Sequence, residues 1–412
     1  MNTKYVITRV NGRLISAEYS NDKCVSLSML DESGIMGNIY VGRVENVVKN
    51  IHCAFIEIQK GVKCYYPLDD NSRHIFLNRK NNKAVNIGDL MLVQVSREAL
   101  KTKPATVTSK LSLTGEYVVL SADVTGVTIS GKTKKNEHCK ELRDLLLAHM
   151  KHPDNISDYP YGFILRTNSS NASADAVIAE AEELIRRYLD IRKRAQYAVA
   201  FTKIDQGEPA YLKDLRSIPM NDLLEIVTDV PEIAEQICKN LIESQATKLR
   251  IYEDKLLPLY KLYSLETELE RALGKRVWLK SGGYLIIEQT EALSVIDVNT
   301  GKMVTKKNTP EAKEQSFVKT NMEAAAEIAR HVRLRNLSGI IIVDFINMTV
   351  EDNNCELLIY LRRLFKNDPV TTTVVDITRL GLVEITRKKF GKTLSEEWKY
   401  SSGNGNEEND AD

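Results

Sequence analysis

Two apolar runs in the last third of the chain each end in an aspartate: Val295-Ile296-Asp297 followed by Val298-Asn299, and Ile342-Val343-Asp344 followed by Phe345. Residues 284–288, 293–297, 339–344 and 373–376 carry strand text, while 309–335 and 351–365 repeat apolar residues at helical period, so the region predicts an α/β layer. An acid at the C-terminal end of a buried strand in such a layer sits where open sheets place their ligands. Two of them supply oxygen ligands for one Mg²⁺. Taken singly, each aspartate reads equally as a cap on the turn after its strand. Asn299 follows Asp297 by two residues and points the same way, so its amide can donate to a phosphate oxygen; within Asn299-Thr300-Gly301 it also reads as a plain turn residue.

The rest of the chain mixes β-type and helical text. Residues 4–30 alternate apolar and polar positions around an Asn11-Gly12 turn signal, as in a small meander. Short β runs at 39–44, 53–58, 63–68 and 90–95, broken by Gly61 and Gly88, fit a small closed barrel such as the OB-fold. Phe55, Tyr65 and Tyr66 lie in this text beside Lys63. Aromatic rings on an OB-like sheet are the usual platform for stacking single-stranded bases, with at least one ring expected to turn into the core. Strands at 117–120 and 162–166 and an amphipathic helix at 173–200 follow. Residues 221–273 read as largely helical, interrupted by Pro231 and Pro258. The final SSGNGNEENDAD lacks the apolar content to fold and is expected to be disordered.

Composition excludes several classes. Basic and acidic residues stand at 57 against 56, so whole-molecule charge names no nucleic-acid partner and local charge has to decide. Arg330, Arg333 and Arg335 crowd one predicted helix end, either facing phosphate or simply solvated and favoured by the macrodipole. The six cysteines form no C-x-x-C and the six histidines no H-x-x-x-H, which speaks against structural and catalytic zinc text. No G-x-G-x-x-G, Walker loop or G-x-S-x-G elbow occurs. With no signal-peptide h-region and no run of ~18 apolar residues, a cytoplasmic protein with reduced thiols and no membrane span is expected.

Residues 275–301, KRVWLKSGGYLIIEQTEALSVIDVNTG, closely resemble the catalytic core of the ribonuclease E/G family of bacterial endoribonucleases. The likeness continues through Lys319-Thr-Asn-Met-Glu-Ala-Ala, through 328–348 and through Leu380-Gly-Leu-Val-Glu-Ile-Thr-Arg387, and covers the chain to about Glu397. It implies a multidomain α/β architecture: a ribonuclease-H-like scaffold (1–36 and 209–272), an inserted OB-fold RNA-binding domain (37–112), a 5′-end sensor domain (113–208), a deoxyribonuclease-I-like catalytic domain (273–397) and a disordered polar tail (398–412). By the same resemblance Asp297 and Asp344 hold Mg²⁺ and Asn299 helps hold the scissile phosphate. Arg166 and Thr167 match the pocket for a 5′-monophosphate, Gly115 and Val119 the neighbouring loop, and Phe55, Tyr65 and Lys103 the RNA-contacting positions of the OB domain. The implied activity is Mg²⁺-dependent cleavage of single-stranded RNA in RNA processing and decay, leaving 5′-phosphate and 3′-hydroxyl ends.

Three departures qualify the expectation. The family's Asp-Phe-Ile-Asp-Met text has Asn347 in place of its second acid, which removes one negative charge near Asp344. Its runner-up consequence is a catalytically weakened, RNA-binding relative; a DNA-directed phosphodiesterase is a third reading, disfavoured by the OB platform. No C-x-x-C follows the catalytic domain, so a zinc-linked tetramer is not expected and a dimer or monomer is. Two arginines that assist the sensor elsewhere align with Gly131 and Lys132, leaving Lys132, Lys134 and Lys135 as substitutes.

Overall fold

The computed structural model describes residues 2–31, 34–71, 73–79, 84–99, 103–131, 133, 136–151, 159–218, 221–241, 243–301, 309–366, 368–389 and 391–403. The chain divides into two compact units, one of Met1–Asp31, Met220–Lys239 and Ser244–Asp412, the other of Glu32–Pro219 with Asn240–Glu243. Strands β1–β21 and helices α1–α10 follow one another along the chain.

The first unit holds two sheets. One has the order β15-β14-β1-β2-β3, from β1 (Thr3–Val10), β2 (Arg13–Ser20), β3 (Lys23–Met29), β14 (Leu223–Thr228) and β15 (Leu249–Ile251). Asn11 and Gly12 both take positive φ, 51° and 78°, the tight hairpin turn whose twist matches that of β1 and β2. Around this sheet lie α4 (Pro231–Asn240), α5 (Glu243–Ala246), α6 (Leu259–Leu262), α7 (Leu265–Leu273) and α10 (Leu394–Gly403).

The second sheet has the order β16-β17-β18-β19-β21-β20, from β16 (Arg276–Trp278), β17 (Tyr284–Gln289), β18 (Leu293–Asn299), β19 (Gly339–Asp344), β20 (Thr372–Ile377) and β21 (Leu382–Arg387). The crossover between β18 and β19 is α8 (Pro310–Leu334), capped by Thr309, whose side chain accepts from Ala312 N–H, with proline at the first helical position. Helix α9 (Glu351–Phe365) follows β19. Ile296, Val298, Ile341 and Val343 pack with Ala324, Ala325, Ile328 and Val332 of α8 and Leu357 and Leu361 of α9. Alanines at the contact let α8 lie close on the strands, and the alternate strand residues are left on the opposite face.

In the second unit, β4 (Ile39–Val48), β5 (Cys53–Gln59), β6 (Val62–Pro67), β7 (Leu90–Arg97) and β8 (Thr106–Thr108) form a five-stranded, OB-like barrel, closed because β4 pairs with both β5 and β7. Strand β13 (Lys203–Asp205) extends its edge. A second sheet, β11-β12-β10-β9, contains β9 (Ser112–Thr114), β10 (Val118–Ser121), β11 (Gly126–Ile129) and β12 (Gly162–Leu165), packed with α1 (Glu137–Met150) and α2 (Ala174–Tyr197); α3 (Ala210–Ser217) follows β13.

The α/β class and the barrel agree with the sequence reading; two local expectations do not. Residues 223–228 and 249–251, inside the stretch read as helical, form β14 and β15, because parallel pairing of β14 with β1 and of β15 with β14 satisfies these short runs as strands. Helix α10 runs on to Gly403, across the start of the expected polar tail, with Trp398 stacked beneath the Arg13 guanidinium at 4.3 Å. Four cysteines are buried and two exposed, and all six are free thiols.

A buried ion pair ties the end of β21 to the connections that enter β20 and β19: Arg387 Nε donates to Asp368 Oδ2 at 2.8 Å, with side-chain exposures of 3% and 0%, while Nη1 donates to the Leu337 carbonyl and to Asn336 Oδ1. Asp368→Ala strands a buried guanidinium and should cost about 3–5 kcal/mol in urea unfolding, whereas the double variant with Arg387→Met should recover most of that loss.

Candidate active site

Strands β18 and β19 run parallel and set Asp297 directly opposite Asp344 in register. Because Ile296, Val298 and Val343 face the helices, both aspartates project from the other face, Asp297 half-buried and Asp344 exposed. Asn299 lies on the same face, and its Nδ2 donates to Asp297 Oδ2 at 2.6 Å. That bond fixes the amide and leaves its carbonyl oxygen as a further acceptor. The structure therefore brings the three sequence-predicted residues together at the C-terminal ends of two adjacent strands.

The loops around them are held by polar side chains of α8 that the sequence reading did not single out. Asn321, fully buried, makes a reciprocal pair with Ile346, two residues past Asp344: its Nδ2 donates to the Ile346 carbonyl at 2.8 Å and its Oδ1 accepts from Ile346 N–H at 3.1 Å. Glu314 accepts from Thr349 N–H and Oγ1, Val350 N–H and Asn353 Nδ2 at 2.9–3.2 Å, so one carboxylate pins the two residues that lead into α9 to its first turn. These bonds, the Thr349 N–H first and then the Asn353 amide, hold its carboxyl down at about 2. Glu323 accepts from Lys280 and Ser281 N–H, fixing the turn before β17. That turn touches the other side of the site: a Cβ on Gly301, whose φ is +61°, would come within 2.3 Å of the Gly282 carbonyl. The available sequence signal was a polar Thr320-Asn321 pair inside an otherwise apolar helical face. Asn347 is exposed and its Oδ1 faces Gly381.

On the barrel, Phe55 and Tyr65 are opposite one another on β5 and β6, their rings 6.3 Å apart and edge-on, both half-buried. Tyr66 is the ring that turns inward, fully buried, with its hydroxyl donating to Ser109 Oγ at 3.0 Å. Lys103 is exposed two residues before Ala105, whose carbonyl accepts from Tyr65 N–H.

In the four-stranded sheet, Arg166 follows β12 and its Nη1 donates to the Gly115 and Glu116 carbonyls at 2.6 and 3.3 Å. Burial lowers its guanidinium from the usual value. Thr167 is exposed beside it, and Val119 is half-buried on β10, which pairs with β12. Gly115 has a steric reason: a Cβ there would come within 2.4 Å of the Glu180 carboxylate carbon. Glu180, on α2, accepts from the N–H groups of Glu116, Tyr117 and Val118, so an internal carboxylate shapes the loop. Glu116 accepts from Asn168 at 2.6 Å, and burial pushes its carboxyl up. Gly131 is exposed; Lys132, Lys134 and Lys135 lie outside the described residues.

Neither reading of the arginine cluster at the end of α8 holds for Arg330 and Arg335. Arg335 is 7% exposed and its Nε donates to His331 Nδ1 at 3.1 Å; Arg330 donates to Glu327 and to the Cys24 carbonyl. The helix end packs within the fold, so these guanidinia neither face phosphate nor sit solvated. Burial, then Arg335 and Arg330, holds His331 well below its ordinary value, in the neutral form. Among the described residues no helix is long and apolar enough to cross a membrane.

Known proteins resemble this chain in sequence over most of its length. The Ribonuclease E/G family model matches residues 112–390. The chain is 34% identical over 379 residues to ribonuclease G of Haemophilus influenzae, covering 88% of this chain and 74% of that one, and 32% identical over 375 residues to ribonuclease G of Escherichia coli, with the same coverage. Ribonuclease E of Synechocystis is 31% identical over 400 residues, covering 93% of this chain but 56% of its own length. The chain belongs to the ribonuclease E/G family and is, with it, an endoribonuclease.

Asn321→Ala leaves the Ile346 N–H and carbonyl without their partner and should cost about 1–3 kcal/mol for each group that stays dry, read by urea unfolding. Glu314 has a folded-state value below its unfolded one, so its contribution is present above about pH 4.3 and is lost as pH falls towards 2. The stability gap between the natural protein and Glu314→Gln should therefore be widest near neutrality and close between pH 4 and 2.

Proposed function

We propose that the protein is a Mg²⁺-dependent endoribonuclease acting on single-stranded RNA in RNA processing and decay, including rRNA maturation and mRNA turnover, and that it leaves 5′-phosphate and 3′-hydroxyl ends. The observation that carries this reading is the register pairing of Asp297 with Asp344, with Asn299 bonded to the first. Among the described residues no group of three or more His, Cys, Asp or Glu gathers as a metal cage. Two carboxylates and an amide oxygen on an open sheet face nonetheless fit Mg²⁺, which keeps several waters and takes one or two carboxylates plus substrate phosphate. Bound there, the ion would supply an activated water and charge stabilisation at phosphorus. Asp297 and Asp344 supply the hard oxygen donors, and Asn299 holds Asp297 in one orientation while presenting its amide towards the phosphate.

Phe55, Tyr65 and Lys103 are assigned to the RNA strand, two ring faces and an ammonium beside a barrel strand, and unpaired bases suit such a platform. Arg166 and Thr167, with Gly115 and Val119, are assigned to a 5′-monophosphate. The ribonuclease-H-like scaffold, sensor and deoxyribonuclease-I-like divisions set out from the sequence, a cytoplasmic location, and a dimer or monomer without linking zinc belong to the same proposal.

Cleavage of 5′-monophosphorylated RNA oligonucleotides should require Mg²⁺, stop in chelator and fall about a hundred- to a thousandfold in Asp344→Ala. Turnover that survives in chelator or in that variant would sink the assignment; binding without cleavage at any Mg²⁺ level would favour the weakened relative. Arg166→Ala should reduce the preference for 5′-monophosphate over 5′-triphosphate about tenfold while leaving cleavage of circular RNA unchanged.

A further inference from the structure

The face of the six-stranded sheet that carries Asp297 and Asp344 also carries an aromatic pair that none of the assignments above uses. Trp278 is opposite Tyr284 in the β16–β17 pairing, and Tyr284 is opposite Asn299 in the β17–β18 pairing. Arg276, Ile286, Asp297 and Asp344 form the parallel row beside it. The intervening Val277, Leu285, Ile287, Ile296 and Val298 are the buried ones, so both rows lie on the outer face. The Trp278 and Tyr284 rings meet edge-on, 5.4 Å between centroids and 61° between planes. The Arg276 guanidinium lies 4.6 Å from the Tyr284 centroid and 5.5 Å from that of Trp278.

Trp278 is 65% exposed, although it sits on an ordered strand. A large aromatic left open on a rigid strand forgoes the burial that usually places tryptophan in cores. We propose that Trp278 and Tyr284, with Arg276, form a stacking site for the unpaired base of a nucleotide next to the scissile phosphate. The proposal rests on the Asp297–Asp344–Asn299 reading. With strands ~4.8 Å apart, Trp278 stands two strands, about 10 Å, from Asn299, within reach of a nucleoside joined to a phosphate held there. An edge-on pair leaves a ring face open to a third ring, and the guanidinium adds both a stacking plane and a charge for the next phosphate. Every base offers a π-face, so the site holds single strands without reading sequence; a duplex keeps its bases stacked on one another and cannot use it.

The chain contains two tryptophans, so Trp398→Phe makes Trp278 the sole reporter. Titrating that full-length variant with a single-stranded RNA oligonucleotide in chelator should quench its emission, saturating at the concentration at which the anisotropy of a labelled oligonucleotide saturates. One abasic nucleotide walked along the strand should abolish the quench at one or two positions beside the cleavage site mapped with Mg²⁺. On the Trp398→Phe background, Trp278→Ala should raise KM roughly ten- to a hundredfold with kcat little changed, add no further penalty for the abasic nucleotide at that position, and be largely rescued by Trp278→Phe. Lack of quench at saturating RNA, or an abasic penalty that adds in full to the alanine variant, overturns the proposal. So does emission that changes with protein concentration alone, which would mark a contact between copies. If Mg²⁺ supports no cleavage, the catalytic reading fails on its own, and the quench and the abasic walk, indexed from the oligonucleotide end, still decide the stacking site.

Discussion

The parallel register between β18 and β19 is the constraint on which the site depends. It places two carboxylates one strand spacing apart, an arrangement their own charges oppose: at ~5 Å and an effective dielectric constant of about 20 the repulsion is about 3 kcal/mol, and less where Asp344 meets solvent. Hydrophobic alternation overrides it. Ile296, Val298, Ile341 and Val343 are each worth roughly 1.5–3 kcal/mol when buried against α8 and α9, so together they exceed the repulsion. A slip of one residue in either strand would send an acid into that core and its apolar neighbours into water. The packing that makes the sheet stable is thus what keeps the two acids on one face.

Helix α8 contributes more than its apolar stripe. Its Glu314, Asn321 and Glu323 accept from backbone N–H groups of two loops, one leaving β19 just after Asp344 and one entering β17 beside the Asn299 turn. Backbone groups in such loops need partners, and a side chain on a rigid helix supplies them at a fixed position. The close approach of Gly301 to Gly282 joins the second loop to the end of β18. Precision at Asp297 and Asp344 is therefore inherited from a helix on the far side of the sheet.

Local pattern made part of this legible. The Asn11-Gly12 turn, the glycine-punctuated barrel text, the helical period over 309–335 and the aspartates closing two apolar runs each act through neighbours in sequence, and each appears in the structure where the pattern put it. The features that escaped act through distant partners. Residues 223–228 are a strand only because β1 lies beside them. Arg335 and Arg330 carry formal charge that reads as surface, yet their partners, His331 and the Cys24 carbonyl, are supplied by packing. Glu180 shows no motif and Asn321 no more than a polar break in a helical face, because what each bonds is backbone whose sequence is immaterial.

The same distinction resolves the near-zero net charge of a protein whose substrate is a polyanion. A count of 57 against 56 treats every carboxylate as surface charge. Several are engaged by the protein's own groups: Glu180, Glu314 and Glu323 are turned onto backbone N–H groups, Asp368 is enclosed with Arg387, and Glu116 accepts from Asn168 inside its sheet. Arg387, Arg335 and much of Arg166 are likewise spent inside. Among the charges left exposed after these internal pairings are Lys103 beside the Tyr65 strand and Arg276 over the Trp278–Tyr284 pair, the two cations proposed above for RNA. Steering and contact follow that local field, within about a Debye length, and the whole-chain sum is silent about it.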